Sequence, residues 1–367
     1  MKRLLPLLLC CILLFTGCAS MLERSYTGQT VHNRAPTTEG DSSILRAEDY
    51  RDLVSAVYYV VSQGLTTGTI RLYNYTRDVD SDLAAACLEV VQEDPLGAYA
   101  VDYIKYDYSH IVSYYEATVE VIYRRTQEQV GSIVSATGSS AIRAELREAL
   151  AAFQPEAVLR ISYFTEGTDI GQLLREAYYD TPATAMGRPR AEINVYPDHG
   201  NQRIVEVLLT YPIDKEQAQE RSEELQEQVQ KLVSRHGLHP GEETTIPALA
   251  AMMRSRVVYD PEGGSTAYDA LVGGAADSEG IALAVSLLCQ SLELDAEVVE
   301  GTLEDAPRFW NRLRLEEGIR CLDAAEGIVL YTEEELVELG YHWRDEPTPN
   351  VENGKENLQE NSQENIN

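Results

Sequence analysis

Between residues 45 and 213 the apolar positions follow a helical period and then a strand period, and this order occurs twice. The first pass has a helix at Tyr50 to Gln63, a strand at Ile70 to Tyr75 and a helix at Asp80 to Gln92, followed by two strands. The second pass repeats that order after an offset of about 86 to 89 residues. The pattern predicts an α+β fold with two α-β-α-β-β repeats packed side by side. The elements of the second pass are helices at Ile142 to Phe153 and Ile170 to Tyr179 and strands at Leu159 to Phe164, Ala191 to Tyr196 and Arg203 to Tyr211.

A hairpin closes each predicted repeat. In the first repeat the turn is expected near Ser109 and His110, and in the second the residues Pro197 to Asn201 favour a turn. The closing strands share a Val-Glu-Val pattern, and its alternation places Glu120 and Glu206 on the face in contact with water. The strands of the first hairpin are expected at Ala100 to Tyr108 and Ile111 to Tyr123.

Tyrosine outnumbers phenylalanine by 22 to 4, and tyrosines are concentrated in the first hairpin. One interpretation is an aromatic platform for wall sugars or peptides. The other is that amphipathic rings suit half-buried strand faces. The second pass has no such cluster, which favours the structural interpretation. The tyrosines concerned are Tyr99, Tyr103, Tyr106, Tyr108, Tyr114, Tyr115 and Tyr123.

The N-terminal residues have the features of an export signal. Met1 to Arg3 is basic, and the apolar run from Leu4 to Phe15 is too short to span a bilayer. The sequence Phe15-Thr16-Gly17-Cys18 resembles the lipobox of bacterial lipoproteins, in which the cysteine receives lipid and becomes the new N-terminus. The resemblance predicts a signal peptide at 1–17 and lipid anchoring through Cys18 at the extracytoplasmic face of the cell membrane. An ordinary cleaved signal with an incidental cysteine is the alternative.

Composition separates the remaining segments. Residues 18–44 are rich in small polar residues, which predicts a flexible tether, and residues 346–367 predict a disordered acidic tail. Residues 214–236 are charged and helical, with a thin apolar stripe. They predict a helix that connects the duplicated domain, 45–213, to a further domain at 237–345.

Charge and cysteine content limit the partners. A net charge of −30 at pH 7 repels nucleic acid, so we exclude nucleic-acid binding. Apart from the export signal, the cysteines are Cys87, Cys289 and Cys321. Their odd number and wide spacing favour neither a disulfide framework nor a metal site, and each is expected to be a small buried hydrophobe. No metal or cofactor is expected.

The region from about Thr245 to Asp345 contains four sequence blocks that are similar, in order and spacing, to those of transglutaminase-like domains. These domains belong to the papain-like cysteine protease superfamily. The resemblance implies an α+β domain of that family at the C-terminal end of the chain. The blocks are Val257 to Asp260, Thr266 to Gly274, Arg308 to Asn311, and Leu330 to Trp343.

The family's catalytic residues are altered in this sequence. The resemblance places the catalytic cysteine at Ser278, the histidine at Arg308 and the aspartate at Asp323. In the family the cysteine attacks an amide with the help of a histidine that the aspartate orients. A serine hydroxyl is a far weaker acid than a thiol, and a guanidinium has no acceptor atom and cannot act as a base. We therefore expect a catalytically inactive domain, with Ser278 as the N-cap of a helix and Arg308 in an ion pair with Asp323.

Two functions remain open. The first is a pseudoenzyme that uses the former cleft to bind peptide, cell-wall fragments or a protein partner, or to act as a scaffold. Trp310, Asn311 and Tyr268 are the residues expected to line that cleft.

The second function is a hydrolase or transferase of altered chemistry in the same cleft. Ser278 would act with Asp277 or Glu279 as its base. Alternatively Cys321 would be the nucleophile, because it lies two residues before Asp323 and so points to the same face of a strand.

Overall fold

The computed structural model describes residues 36–39, 41–165 and 167–344. The predicted signal peptide, Cys18, most of the predicted tether and the acidic tail lie outside the described residues, so those predictions stay untested. None of the described helices is both long enough and apolar enough to cross a bilayer.

The chain is an α+β protein that divides into two compact units. The first runs to Ala149 and includes Pro155–Leu173 and Ala191–Leu209. The second contains Leu150–Gln154, Leu174–Arg190 and the chain from Thr210 onward. The second unit therefore includes three segments that the sequence analysis assigned to the duplicated domain at 45–213, namely Leu150–Gln154, Leu174–Arg190 and residues 210–213.

The first unit contains a five-stranded sheet. Its strands are β1 (Thr37–Glu39), β2 (Asp41–Ala47), β3 (Thr67–Tyr73), β4 (Val101–Ile111) and β5 (Tyr114–Tyr123), and three helices accompany them: α1 (Tyr50–Ser62), α2 (Val79–Glu93) and α3 (Pro95–Ala100). The strand order is β1-β2-β3-β5-β4. Strands β2 and β3 are parallel, and the other neighbours are antiparallel.

Capping residues and an apolar face position these helices. Asp49 caps α1 and Asp78 caps α2, each by accepting a hydrogen bond from an amide three residues later. α1 packs on β2 and β3, while α2 packs on β4. The helices thereby cover one face of the sheet, and the apolar side chains between them form the core of this unit. The core includes Leu45, Leu53, Val57, Val60, Ile70, Leu72, Leu83 and Val119.

A second sheet repeats the topology of the first. It consists of β6 (Val134–Ala136), β7 (Glu156–Ile161), β8 (Arg190–Tyr196) and β9 (Arg203–Thr210), with helices α4 (Gln127–Gly131), α5 (Ser139–Ala151) and α6 (Ile170–Tyr179). Its order, β6-β7-β9-β8, matches β2-β3-β5-β4, and β6 and β7 are again parallel. Each pass is thus β-α-β-α-β-β, with a leading strand that was not predicted. A duplication as the origin of the two passes stays a prediction.

The leading strand explains one difference from the sequence analysis. β1 and most of β2 lie inside the segment predicted as a tether, 18–44. Leu45 and Ala47 of β2 are buried, whereas the strand begins with the polar residues Asp41, Ser42 and Ser43. So short a run of inward side chains gives little periodic signal.

The turn of the first hairpin also differs from the prediction. β4 and β5 stay paired as far as Ile111, which lies opposite Tyr114. The turn is therefore at Val112 and Ser113. The predicted turn residues, Ser109 and His110, belong to β4 instead.

Glu206 is buried, so the expectation that it faces water is wrong. It is 1% exposed, and the Nη2 atom of Arg125 lies 2.5 Å from its Oε1. The Tyr196 hydroxyl donates to Oε2 at 3.2 Å. Alternation separates the two faces of a strand, but it does not show that the second face is covered as well. The corresponding Glu120 of β5 is exposed, as predicted.

The second unit is built around one helix and an antiparallel sheet. Its helices are α7 (Lys215–His236), α8 (Ile246–Arg256), α9 (Ser278–Ser291) and α10 (Glu333–Glu338), and its strands are β10 (Val258–Tyr259), β11 (Ala275–Ala276), β12 (Asp295–Leu303), β13 (Ala306–Leu315), β14 (Gly318–Asp323), β15 (Ile328–Tyr331) and β16 (Tyr341–Trp343). The sheet order is β15-β14-β13-β12-β16. β10 and β11 form a separate parallel pair.

Helix α9 is the centre of this unit. Its residues from Gly280 to Cys289 are all buried, as expected of a helix that is apolar on every side. It packs on β12 and β13. The predicted connecting helix is present as α7, but it also packs in this unit, because its stripe of Leu225, Val229 and Leu232 is buried.

An aromatic cluster forms the core at the β16 edge of the sheet. Trp310 packs edge-on against Tyr341 and Trp343, with ring centroids 5.1 and 5.5 Å apart. Gly301 of β12 permits this packing. A Cβ atom there would lie 2.5 Å from the Trp310 ring and 2.3 Å from the carbonyl oxygen of His342.

Candidate functional site

The N-terminus of α9 holds Ser278 in a buried position. Asp277 caps the helix: its Oδ1 accepts a hydrogen bond from the amide of Gly280 at 2.8 Å. The expectation that Ser278 is the N-cap is therefore wrong, because the preceding aspartate takes that role. Ser278 is 6% exposed, and its Oγ accepts a hydrogen bond from the amide of Phe309 at 3.3 Å. The hydroxyl thus joins the helix to strand β13.

Arg308 and Asp323 form the predicted ion pair. They lie on β13 and β14, which are adjacent and antiparallel. Arg308 donates from Nε to Oδ2 at 2.7 Å and from Nη2 to Oδ1 at 2.9 Å. The two residues are 3% and 2% exposed, respectively. Two parallel hydrogen bonds fix the geometry of both groups.

Further donors complete the shell of Asp323. The Tyr341 hydroxyl donates to Oδ2 at 2.9 Å. The amides of Ala325 and Glu326 donate to Oδ1 at 3.0 and 3.2 Å. The carboxylate therefore accepts five hydrogen bonds, counting the two from Arg308. A carboxylate held in this way is fully compensated for its burial.

Arg308 has two further neighbours. Its guanidinium stacks over the ring of Tyr259 at 4.8 Å, and Nη2 lies 3.2 Å from a carboxylate oxygen of Glu326. Burial alone would lower the pKa of Arg308, but the hydrogen bonds and charge of Asp323 outweigh it and raise the pKa. Burial and the nearby Asp323 also raise the pKa of Tyr341. Arg308 thus stays charged and Tyr341 stays neutral at physiological pH.

Cys321 does not have the environment of a nucleophile. It is 1% exposed and packs in the aromatic cluster with Trp310. Burial raises the pKa of its thiol to about 12. The reactive form of a cysteine is the thiolate, which is scarce at neutral pH when the pKa is that high.

The two acids beside Ser278 have other contacts. Asp277 is the helix cap, and its Oδ2 also accepts a hydrogen bond from the Ser265 hydroxyl at 2.5 Å. Glu279 accepts hydrogen bonds from Arg188 Nη2 at 2.9 Å and from the Tyr179 hydroxyl at 3.3 Å. Burial raises the pKa of Glu279, and Arg188 opposes that shift.

The three residues expected to line the cleft lie elsewhere. Trp310 is 1% exposed within the aromatic cluster, and Asn311, equally buried, donates from Nδ2 to the carbonyl of Ala282 at 2.9 Å. Both are core residues. Tyr268 donates its hydroxyl to Glu224 of α7 at 2.6 Å and therefore helps to attach that helix.

An open groove lies beside Arg308. Its volume is about 270 Å³. Tyr259, whose ring stacks on Arg308, forms one wall, and Ile281 of α9 contributes another. Arg254 is exposed and also lines the groove. The remaining lining residues are Met253, Val257, Ala324 and Ala325.

Sequence reasoning did not identify Tyr341, Glu326 or Tyr259 as parts of the site. Tyr341 carried the clearest available signal, because it precedes His342 in a short strand whose first and third residues are inward-facing. Glu326 gave none, since it lies in a turn. Among the described residues, no group of three or more His, Cys, Asp or Glu side chains could hold a metal ion.

Comparison with known proteins gives similarities to solved structures, of which two are described below. No protein-family model matches the chain, and no curated protein matches it. A transglutaminase crystal structure is 14% identical over 61% of this chain and 67% of its own, with a TM-score of 0.28. A protein from Cytophaga hutchinsonii that is described as a candidate cysteine protease is 13% identical over 39% of this chain and 66% of its own, with a TM-score of 0.24. Neither similarity assigns a function to this chain.

Proposed function

We propose that the second unit is a transglutaminase-like domain without catalytic activity. In this proposal it serves as a binding or scaffold module for a peptide, cell-wall or protein partner, on a protein anchored by lipid at the extracytoplasmic face of the cell membrane. The observation that carries the proposal is the buried Arg308–Asp323 pair. The sequence resemblance aligns these two residues with the family's histidine and aspartate.

The chemistry of the pair argues against acyl transfer. A nucleophilic serine needs a neighbouring group that accepts its proton. Arg308 has donors alone, and its hydrogen bonds to Asp323 hold it charged. Asp323 already accepts five hydrogen bonds. Neither residue can therefore activate Ser278.

The groove beside the pair supports a binding role. Met253, Val257 and Ile281 contribute apolar side chains to its lining, and Tyr259 adds an aromatic ring. Arg254 adds a positive charge at an exposed position. At about 270 Å³ it is close to the lower end of the range for ligand pockets and fits one side chain rather than a large molecule. A peptide with an apolar side chain next to a carboxylate has the matching chemistry.

The binding role can be tested with one pair of variants. Tyr259 and Tyr331 are exposed to similar extents, 37% and 40%, but Tyr259 alone of the two lines the groove. Tyr259→Ala should weaken binding of such peptides by at least about tenfold, whereas Tyr331→Ala should leave it unchanged. Amidated peptides, which lack the carboxylate, should bind less tightly than free acids. Equal effects of the two substitutions would contradict binding in this groove.

The absence of catalysis can be tested directly. The chain should show neither amide hydrolysis nor amine incorporation on glutamine peptides. Ser278→Cys alone should not restore activity, because no base is present. Ser278→Cys combined with Arg308→His is the simple route back, and any turnover by that double variant would support the assignment. Turnover by the unmodified chain that is lost in Ser278→Ala would overturn the proposal in favour of a serine enzyme.

The lipid anchor has its own test. The lipobox-like sequence before Cys18 is the basis for this part of the proposal. Replacing Cys18 by Ala should release the protein from the membrane fraction or leave its signal uncleaved. Metabolic labelling with a fatty acid that is the same in the parent chain and the Cys18→Ala variant would contradict anchoring at this residue.

A further inference from the structure

Strand β4 is a long strand at the edge of the five-stranded sheet. It spans eleven residues, Val101–Ile111, and pairs within the sheet on one side, with β5. Tyr103, Tyr108 and Ile111 are 44%, 38% and 38% exposed, respectively. A long edge strand presents a row of backbone donors and acceptors that can pair with another strand.

The direction of these backbone groups follows from the neighbouring strand. The amide of Val121 in β5 donates to the carbonyl of Thr66 on the β3 side. The backbone groups of successive residues point to opposite sides of a strand, so those of Glu120 and Thr118 in β5 point toward β4. On β4 the residues opposite them are Lys105 and Asp107.

The backbone groups of the alternate residues on β4 must therefore point away from β5. These residues are Ile104, Tyr106 and Tyr108. A separate contact agrees with this direction: the Tyr108 amide donates to the carboxylate of its own neighbour, Asp107, at 3.0 Å.

The residue order of β4 is self-complementary. We propose that β4 pairs antiparallel with β4 of a second copy of this chain, with Tyr106 opposite Tyr106 of the other copy. This register places Lys105 opposite Asp107, Ile104 opposite Tyr108 and Tyr103 opposite Ser109, each taken across the two-fold axis. Lys105 meets a residue of opposite charge, Ile104 meets the ring of Tyr108, and the two Tyr106 rings face each other.

The backbone directions match this register. Ile104 and Tyr106 would form ladder hydrogen bonds, and Tyr108 would join them once its amide exchanges the Asp107 carboxylate for the second copy. Lys105 and Asp107 would then occupy the positions without ladder bonds, where facing side chains approach most closely. Both Lys105–Asp107 pairs therefore lie at positions where the opposite charges are closest and attract most strongly.

The two-fold axis would be perpendicular to the sheet. The helices of both copies would then cover the same face, and the two sheets would join into one of ten strands, within the usual size of open sheets. A lysine on an edge strand usually opposes pairing. Lys105 does not do so in this register, because Glu120 of its own chain, 4.0 Å away, and Asp107 of the second copy both compensate its charge.

Charge variants test the proposal in the full chain. Lys105→Asp puts aspartates opposite each other twice across the axis and should weaken self-association by about tenfold or more in sedimentation equilibrium. Lys105→Asp with Asp107→Lys reverses both charges and should restore it. Lys231→Asp removes an equally exposed lysine from α7 and should have no effect.

A crosslink tests the register. Residues opposite each other without ladder bonds have Cα atoms about 4.5 Å apart, which suits a disulfide. A mixture of Lys105→Cys chains and Asp107→Cys chains should form a mixed disulfide on mild oxidation, while neither chain alone should crosslink through its new cysteine. A monomer at every concentration would overturn the proposal. The proposal would also be overturned if Lys105→Asp left self-association unchanged and no mixed disulfide formed.

Discussion

Arg308 and Asp323 face each other diagonally across neighbouring strands, and two hydrogen bonds of 2.7 and 2.9 Å join them. The β13–β14 register pairs Asn311 with Leu322, so its continuation brings Asp323 opposite Trp310 rather than Arg308. Diagonal neighbours on one face of a sheet are within reach of a long side chain such as arginine. The pair is almost completely removed from water, and its stability contribution depends on both partners being present.

Removal of one partner should cost far more than removal of both. Arg308→Met leaves Asp323 buried without its cation, and Asp323→Leu leaves the guanidinium without its anion. Each should lower the free energy of unfolding by about 3–5 kcal/mol, whereas the double variant Arg308→Met with Asp323→Leu should recover most of that loss. Urea denaturation of the four proteins measures this coupling. Additive effects would show that the pair acts as two independent groups.

The thiols should be inert in the folded protein. Cys87, Cys289 and Cys321 are buried, as expected from the sequence, and burial raises the pKa of each to about 12. A thiol-reactive reagent at neutral pH should therefore label none of the three until urea unfolds the chain. Peptide mapping distinguishes them from the cysteines of the export signal. Rapid labelling of native Cys321 alone would revive the altered-chemistry hypothesis.

Glu156 provides a pH test in the first unit. Burial raises its pKa above the ordinary value of 4.5, and the neighbouring Glu206 adds to the shift, while Arg125 opposes it. The folded chain therefore binds this proton more tightly than the unfolded chain does, so Glu156 lowers stability as pH rises from its ordinary pKa through its raised one.

Glu156→Gln should remove this loss, because the amide stays uncharged and can still donate to Glu206. The variant should be more stable than the parent at neutral pH, and the difference should shrink to zero below the ordinary pKa. Free energies of unfolding from urea titrations at several pH values provide the measurement. A stability difference between variant and parent that becomes less favourable to the variant as pH rises would contradict the prediction.

Local signals explain what the sequence predicted correctly. The helix at Ile170–Tyr179 was predicted with the bounds it has, because its apolar spacing is regular. The ion pair of Arg308 and Asp323 is similarly predicted by the order and spacing of the sequence blocks, and the two residues lie on adjacent strands. Patterns of this kind depend on one or two neighbouring elements alone.

The wrong predictions concern residues whose surroundings are formed by parts of the chain that are distant in sequence. Glu206 was assigned to water, because nothing in its own strand reveals that Arg125 covers it. Trp310 was assigned to a cleft for a similar reason: alternation gives its face, but the aromatic partner Tyr341 comes from a strand 31 residues later. The sequence offers two good capping residues in succession, Asp277 and Ser278, and the structure uses Asp277 rather than the predicted Ser278.

The close packing at Gly301 gives the last prediction. A methyl group at this position would lie 2.5 Å from the Trp310 ring and 2.3 Å from the His342 carbonyl, and the latter is backbone that cannot rotate away. Gly301→Ala should therefore force β12 and β16 apart and lower the free energy of unfolding by about 1–3 kcal/mol.

Gly273 offers a matched control in the same unit, because a Cβ atom there meets no other atom within 4 Å. Gly273→Ala should be neutral or slightly stabilising, since alanine reduces the freedom of the unfolded chain. The chain has two tryptophans, Trp310 and Trp343, and both lie in the cluster that Gly301 permits, so their fluorescence reports on its packing. We expect Gly301→Ala to shift the emission toward longer wavelength and Gly273→Ala to leave it unchanged. Equal stability and equal spectra for the two variants would mean that Trp310 is not packed against β12, and its assignment to the core would then fail.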